Sequence, residues 1–325
     1  MSAFLTLAKG IRHVVRVRRM MRGPLRPSWD DDYETLAMIL HHYAKRSTML
    51  PLQIQRRAAD GFSVESKVIK QTSFEPVDAG GVRAEWFRHE DSRERPVLMY
   101  LHGGGYSIGS IDSHRDLIAR LCRAAKMTAL AVDYRLAPEH RFPAQLDDAV
   151  AAYRWLLDQG CEPERLVIAG ESAGGGLTLS TLVRLRDDGT PLPVGAVCIS
   201  PWVDLEATGR SMIDNEPFDY VSRKVLCAFA ERFVTKKQMC HPLAAPLYAD
   251  LKGLPPLLIQ AGGAEVLLDD ATRVARRAES AGVDVELDVW EDMIHAWHVF
   301  GGFIPQSGEA IDAIAAFIGR LCDDS

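Results

Sequence analysis

The chain has 325 residues, 47% of them hydrophobic and 25% charged, with a formal net charge of −6. That balance excludes a disordered chain, and 25 Gly with 17 Pro exclude a collagen-like one. A negative net charge argues against a nucleic-acid partner.

The net charge hides an asymmetry. Residues 1–27 carry seven Lys and Arg and no acid, so the remainder of the chain carries −13. The leader MSAFLTLAKGIRHVVRVRRMM lacks the order of a secretory signal, because its apolar stretch precedes its charges. Two readings stand: a basic amphipathic helix touching an anionic membrane surface, or a solvated surface segment. No apolar run reaches the length of about 18 residues that a spanning helix needs. Six Cys stand apart at 122, 161, 198, 227, 240 and 322, without CxxC spacing. They are expected to be reduced, in a cytoplasmic protein.

In chain order, Asp30 to about Leu50 reads as a helix closed by Pro51, with Tyr33, Leu36, Leu40 and Tyr43 on one face. VESKVIK (64–70) and VRAEWFR (82–88) alternate like half-buried strands. Continuous apolar strands are expected at 97–102, 127–134, 166–170, 196–200 and 257–263. An alternating one follows at 285–290. Helical patterns lie between them, near 115–125, 144–158, 173–186, 269–281 and 309–321. About eight strands alternating with helices predict an α/β domain built on a mostly parallel sheet. Residues 205–245 interrupt the alternation and read as a helical insertion.

LVIAGESAGGG (166–176) places Gly170, Ser172 and Gly174 as G-x-S-x-G between an expected strand and helix. That context makes Ser172 a nucleophile on a tight turn, with helix N–H groups beside it. YLHGGGY (100–106) follows another strand, and its glycines let backbone amides turn inward together. Gly104, Gly105 and Ala173 are the expected oxyanion donors. A Ser nucleophile needs a base and an orienting acid, which follow it in that order reversed: acid, then His. His241 reads as a surface residue of the insertion. His295 comes soonest after the strand at 285–290 and is the expected base; His298 enters apolar sequence and reads as packed. Glu265, just past the strand at 257–263, is the expected acid. Asp269 is the lesser alternative, since it also suits a helix start. These are the parts of a serine hydrolase. Neither metal-ligand spacing nor a nucleotide-binding glycine fingerprint is present, so no cofactor is expected.

HGGGY (102–106), DYRLAPEHRFPA (133–144), GESAGG (170–175) and MIHAWHVF (293–300) resemble the hormone-sensitive-lipase branch of the α/β-hydrolases. Most of its members are bacterial carboxylesterases. The resemblance implies an α/β-hydrolase fold, with residues 1–55 as a helical cap segment. Residues 56–325 would form the catalytic domain, carrying a cap insertion at about 205–245. It implies hydrolysis of short-acyl or compact esters through an acyl-enzyme, and a homodimer through an edge strand near the C-terminus. A lactonase, deacetylase or amidase on the same triad, or a non-catalytic receptor of the same fold, are the alternatives. His102 would order the glycine loop, and Tyr134, Pro138 and Pro143 would brace it. The chain departs from the branch in reading EVLLDD at 265–270, with Glu265 at the position of the usual Asp. Tyr106, Trp202, Phe218 and Trp297 are pocket-lining candidates, each with ordinary packing as its alternative.

Overall fold

The computed structural model describes residues 2–47, 50–61 and 66–323. Three helices come first: α1 (Ser2–Arg22), α2 (Asp31–Ser47) and α3 (Leu52–Asp60). The Asp30 carboxylate accepts the Tyr33 amide at 2.7 Å, a side-chain cap that starts α2. Asp31, Asp32 and Glu34 then fill its first turn, where the helix dipole favours negative charge.

Those same acids receive the basic leader. Arg12 meets Asp32 at 2.8 Å, Arg16 meets Asp31 at 2.8 Å, and Arg18 and Arg19 converge on Glu34 at 2.5 and 3.0 Å. Glu34 is fully buried, and Val15 packs inward from α1. Arg26 pairs with Asp292 at 3.1 Å. The leader is therefore a charge-matched surface helix docked on α2. Its outer side leaves Val14, Val17, Met20 and Met21 exposed.

The alternation in VESKVIK misled. Its Val64 and Glu65 lie outside the described residues, and Lys67–Lys70 form a helical turn, α4. Ser66 caps that turn by accepting the Ile69 amide at 3.3 Å, and the Thr72 hydroxyl closes it on the Val68 carbonyl. The first strand, β1 (Thr72–Asp78), begins two residues beyond α4.

The other strands are β2 (Arg83–His89), β3 (Arg93–Leu101), β4 (Met127–Val132), β5 (Leu166–Glu171), β6 (Gly195–Ile199), β7 (Leu257–Gly262) and β8 (Val285–Trp290). They form one eight-stranded sheet in the order β1-β2-β4-β3-β5-β6-β7-β8. β2 runs antiparallel to both β1 and β4, and all other neighbours are parallel. The connecting helices are α5 (Ile111–Ala125), α6 (Ala144–Asp158), α7 (Ala173–Asp187), α8 (Ser211–Asp214), α9 (Arg223–Phe233), α10 (Leu268–Ser280) and α11 (Pro305–Asp323). α8 and α9 lie within residues 205–245.

Strand periodicity divides the core. Val97, Met99 and Leu101 of β3 face a cluster with Leu146, Leu177 and Val274 from α6, α7 and α10. Leu98 and Tyr100 face a second cluster with Leu117 and Ile314 from α5 and α11. A third cluster joins Trp29, Tyr33, Ala37 and Leu40 to Met293, Ile294 and Trp297. The N-terminal helices are thereby packed on the loop that follows β8.

Candidate active site

Ser172 occupies the single residue between β5 and α7. Its φ of +55° and ψ of −120° lie where L-residues are strained. Three backbone bonds hold it there. Its amide donates to the Ile199 carbonyl at 2.8 Å, and its carbonyl accepts from Gly176 and Trp202 at 3.1 and 2.9 Å. The flanking glycines are required by space. A Cβ on Gly174 would sit 2.0 Å from the Leu101 carbonyl oxygen, and one on Gly170 would sit 2.3 Å from the Gly174 oxygen. Ala173 opens α7, and a first-turn amide has no acceptor within its helix.

The glycine loop follows β3. Gly104 (φ +107°) and Gly105 (φ +59°) adopt conformations that favour glycine, and a Cβ on Gly104 would meet the Ile108 oxygen at 2.2 Å. The loop is braced from outside. The Tyr134 hydroxyl donates to the His102 carbonyl at 2.5 Å, and its ring stacks on the imidazole at 4.3 Å. Ala137 donates its amide to the Tyr106 carbonyl at 2.8 Å. Arg56 of α3 donates to the carbonyls of Ser107 and Ala137. Beneath the loop, the Glu171 carboxylate binds His114 Nε2 at 2.6 Å. A Cβ on Gly103 would lie 1.9 Å from that carboxylate, so glycine alone fits there. Burial opposes the charge on Glu171, yet the bond to His114 and the charge of His295 hold its carboxyl below the usual range. Burial and the neighbouring His114 push His102 down to about 3, so it stays neutral.

Glu265 follows β7 and His295 follows β8, both buried at the C-terminal edge of the parallel strands. His295 Nδ1 faces Glu265 Oε2 at 3.7 Å, an ion-pair distance longer than a hydrogen bond. Ser200 links them. Its hydroxyl donates to Glu265 Oε2 at 2.6 Å and accepts the Ala296 amide at 3.1 Å. Burial works against a charged His295, but Glu265, Asp219 and Glu171 overcome it and raise its pKa to about 9.

The other acids and imidazoles are engaged elsewhere. Asp269 Oδ2 accepts the Ser211 amide at 3.0 Å, turned toward α8. Asp270 accepts the amides of Val203 and Asp204, and burial pushes it up to about 8. His298 is buried against Gln260 at 2.8 Å, and His241 is exposed.

The family of proteins with an alpha/beta hydrolase fold matches residues 98–299. An acetyl-hydrolase of Streptomyces hygroscopicus is 46% identical over 245 residues, covering 74% of this chain and 81% of that protein. An esterase of Acinetobacter venetianus is 35% identical, covering 76% and 82%. The crystal structure of an esterase from the bacterial hormone-sensitive lipase family superposes with a TM-score of 0.85 at 41% identity. It covers 91% of this chain and 99% of that one. This chain belongs to the hormone-sensitive-lipase branch of the α/β-hydrolases. It is a carboxylic ester hydrolase. A crystal structure of an esterase/lipase from an uncultured bacterium matches over 98% of both chains, with a TM-score of 0.82 at 37% identity.

The four aromatic pocket candidates of this hydrolase sit in packing positions. Trp202 and Trp297 have no exposed surface. Tyr106 stacks on Phe233 of α9 at 3.8 Å, and Phe218 packs edge-on against Trp29 beneath Arg26. One further aromatic, not singled out in the sequence, approaches the glycine loop. It is Phe229 of α9, whose ring would lie 2.3 Å from a Cβ on Gly105. Also unforeseen are the anchors of the loop bearing His295. The Trp29 indole donates to the Asp292 carbonyl at 2.6 Å, Tyr33 Oη accepts the Ile294 amide at 3.1 Å, and Asp219 Oδ1 accepts the His295 amide at 3.2 Å. Each spans more than 70 residues of sequence, so no local motif betrays it.

Proposed function

We propose that this esterase hydrolyses short-acyl or compact esters through an acyl-enzyme on Ser172. The observation that carries the reading is the buried His295–Glu265 pair, coupled through the 199–202 segment to the strained turn of Ser172. The Ser172 hydroxyl attacks the ester carbonyl carbon while His295 takes its proton. Glu265 orients the imidazole and favours its charged form. The oxyanion rests on the amides of Gly104, Gly105 and Ala173. His295 then protonates the departing alcohol, and the acyl–Ser172 bond remains. A water molecule, deprotonated by His295, attacks that bond; the carboxylic acid leaves and Ser172 recovers its proton.

Two features support a compact substrate. Ser172 is only 8% exposed, and Phe229 presses on Gly105 from the insertion. The named acetyl-hydrolase relative accords with a small acyl group. The test is a series of p-nitrophenyl esters from acetate to decanoate. Activity is expected to be highest at four carbons or fewer and to fall about 10-fold by eight. Phe229→Ala should flatten that series by raising the longer esters. A preference for long chains in the unaltered enzyme would overturn the compact-substrate reading.

The helices of residues 1–55 and the 205–245 insertion serve as cover in this account. The leader's arginines spend their charge on Asp31, Asp32, Glu34 and Asp292, which leaves little for an anionic membrane. Sedimentation with anionic liposomes is expected to leave the enzyme in solution. Binding that disappears when residues 1–27 are deleted would instead establish a membrane role. Six cysteines scattered along the chain without CxxC spacing support a reducing, cytoplasmic setting, and the outer edge of β8 is where a homodimer contact would form.

A further inference from the structure

Asp219 is fully buried, yet its place in the insertion, between α8 and α9, gives it no part in the steps above. Its carboxylate reaches two loops at once. Oδ2 accepts the amide of Val266, the residue after Glu265, at 2.9 Å. Oδ1 accepts the amide of His295 itself at 3.2 Å, together with that of Tyr220 at 2.8 Å. Its backbone carbonyl meets His41 Nδ1 of α2 at 2.8 Å. The preceding turn adds a second tie, because Asn215 Nδ2 donates to the carbonyls of Gly263 and Glu265 at 3.2 and 2.9 Å. The insertion therefore grips the acid loop by both its amides and its carbonyls, and grips the base loop with the same side chain.

We propose that Asp219 is a positioning residue of the catalytic triad, a carboxylate of the insertion that fixes the loops of Glu265 and His295 relative to each other. The inference rests on the triad proposed above. Charge-assisted bonds to backbone amides are stronger than neutral ones, so a buried anion suits this task. The 3.7 Å gap between Glu265 and His295 makes the task matter. A pair that close to bonding distance tightens or fails with a displacement of well under 1 Å.

Asp219 also acts on His295 by its charge. Three carboxylates face that imidazole: Glu265 from the β7 loop, Asp219 from the insertion and Glu171 from the end of β5. The Tyr220 ring lies 5.9 Å away, and His298 stays neutral behind it. Around Asp219 itself stand His295, Glu265, Tyr220 and the Tyr33 hydroxyl of α2. Burial raises the Asp219 pKa to about 6, against the pull of His295 and of the Val266 amide.

The experiment compares Asp219→Asn with the unaltered enzyme across pH, with Ser172→Ala as the reference for the triad. Asparagine keeps the shape, removes the charge and turns one acceptor into a donor that faces an amide. kcat is expected to fall by about 10- to 100-fold with KM nearly unchanged. The acid limb of kcat/KM should move to lower pH by about half a unit or more, because the imidazolium loses one of its three anions. A scaffold role alone would lower thermal stability and leave the limb in place. Normal kcat with an unmoved limb in a folded Asp219→Asn protein overturns the proposal while the triad stands. Undiminished hydrolysis by Ser172→Ala overturns the triad instead. Should Asp219→Asn not fold, NMR on the unaltered enzyme decides. The amide protons of Val266 and His295 are expected to titrate together near pH 6, and amides that stay still between pH 4 and 8 contradict the proposal.

Discussion

Ser172→Ala is expected to lower kcat for ester hydrolysis by about 10⁵- to 10⁶-fold, with circular dichroism and Tm nearly unchanged. The hydroxyl is the one atom removed, and the backbone bonds that shape the turn run through main-chain groups. Alanine keeps the strained φ of +55°, so stability neither gains nor loses much. Glycine at the same place adopts that conformation freely. Ser172→Gly should be equally inactive and about 1 kcal/mol more stable. The pair of variants thus separates the chemical use of the residue from its conformational cost. Residual turnover within 100-fold of the unaltered enzyme would place the nucleophile elsewhere.

Glu265→Gln is expected to lower kcat by about 10³- to 10⁴-fold, whereas Asp269→Asn should stay within about 3-fold. Glu265 faces the imidazole, while Asp269 holds the Ser211 amide at the start of α8. The second variant should therefore cost Tm rather than turnover. The reverse order would transfer the acid role to Asp269. The pH profile carries the same information. His295 is a base only when neutral, and its pKa is raised to about 9, so kcat/KM should climb with pH toward that value. Without the Glu265 anion the limb should fall toward lower pH. The sign for stability is opposite. Protonated His295 stabilises the fold fully below its ordinary pKa of 6.5, and that contribution is lost as pH rises through about 9.

The strands were legible because both faces of a parallel sheet are buried, which writes continuous apolar runs such as MTALAV and LVIAG into the chain. The Ser172 turn was legible because close approach demands glycine at fixed offsets, and those glycines stand where backbone oxygens come within 2.3 Å of a Cβ. VESKVIK was misread for a local reason. Two-residue alternation over so short a stretch also fits one turn of helix, and Ser66 decides by capping it. The partners of the leader's charges were hidden for a non-local reason. The arginines look solvated until α2 brings Asp31, Asp32 and Glu34 alongside.

Asp219 shows the limit more sharply. Nothing in DNEPFDY singles it out, and only burial between two distant loops gives it a role. Aromatics are ambiguous in a further way, because packing a core and lining a pocket ask the same chemistry of them. Trp202 and Trp297 fill the core, while Phe229 of the insertion reaches the glycine loop.

Acylation of Ser172, with His295 as its base, leaves a covalent trace. Intact-protein mass measurement after treatment with a serine-directed phosphonate tests it most directly. One adduct per chain is expected, mapped by peptide sequencing to Ser172, with ester hydrolysis lost in proportion and no adduct on Ser172→Ala. An enzyme that keeps hydrolysing esters without an adduct, or that carries its adduct on another residue, would contradict it.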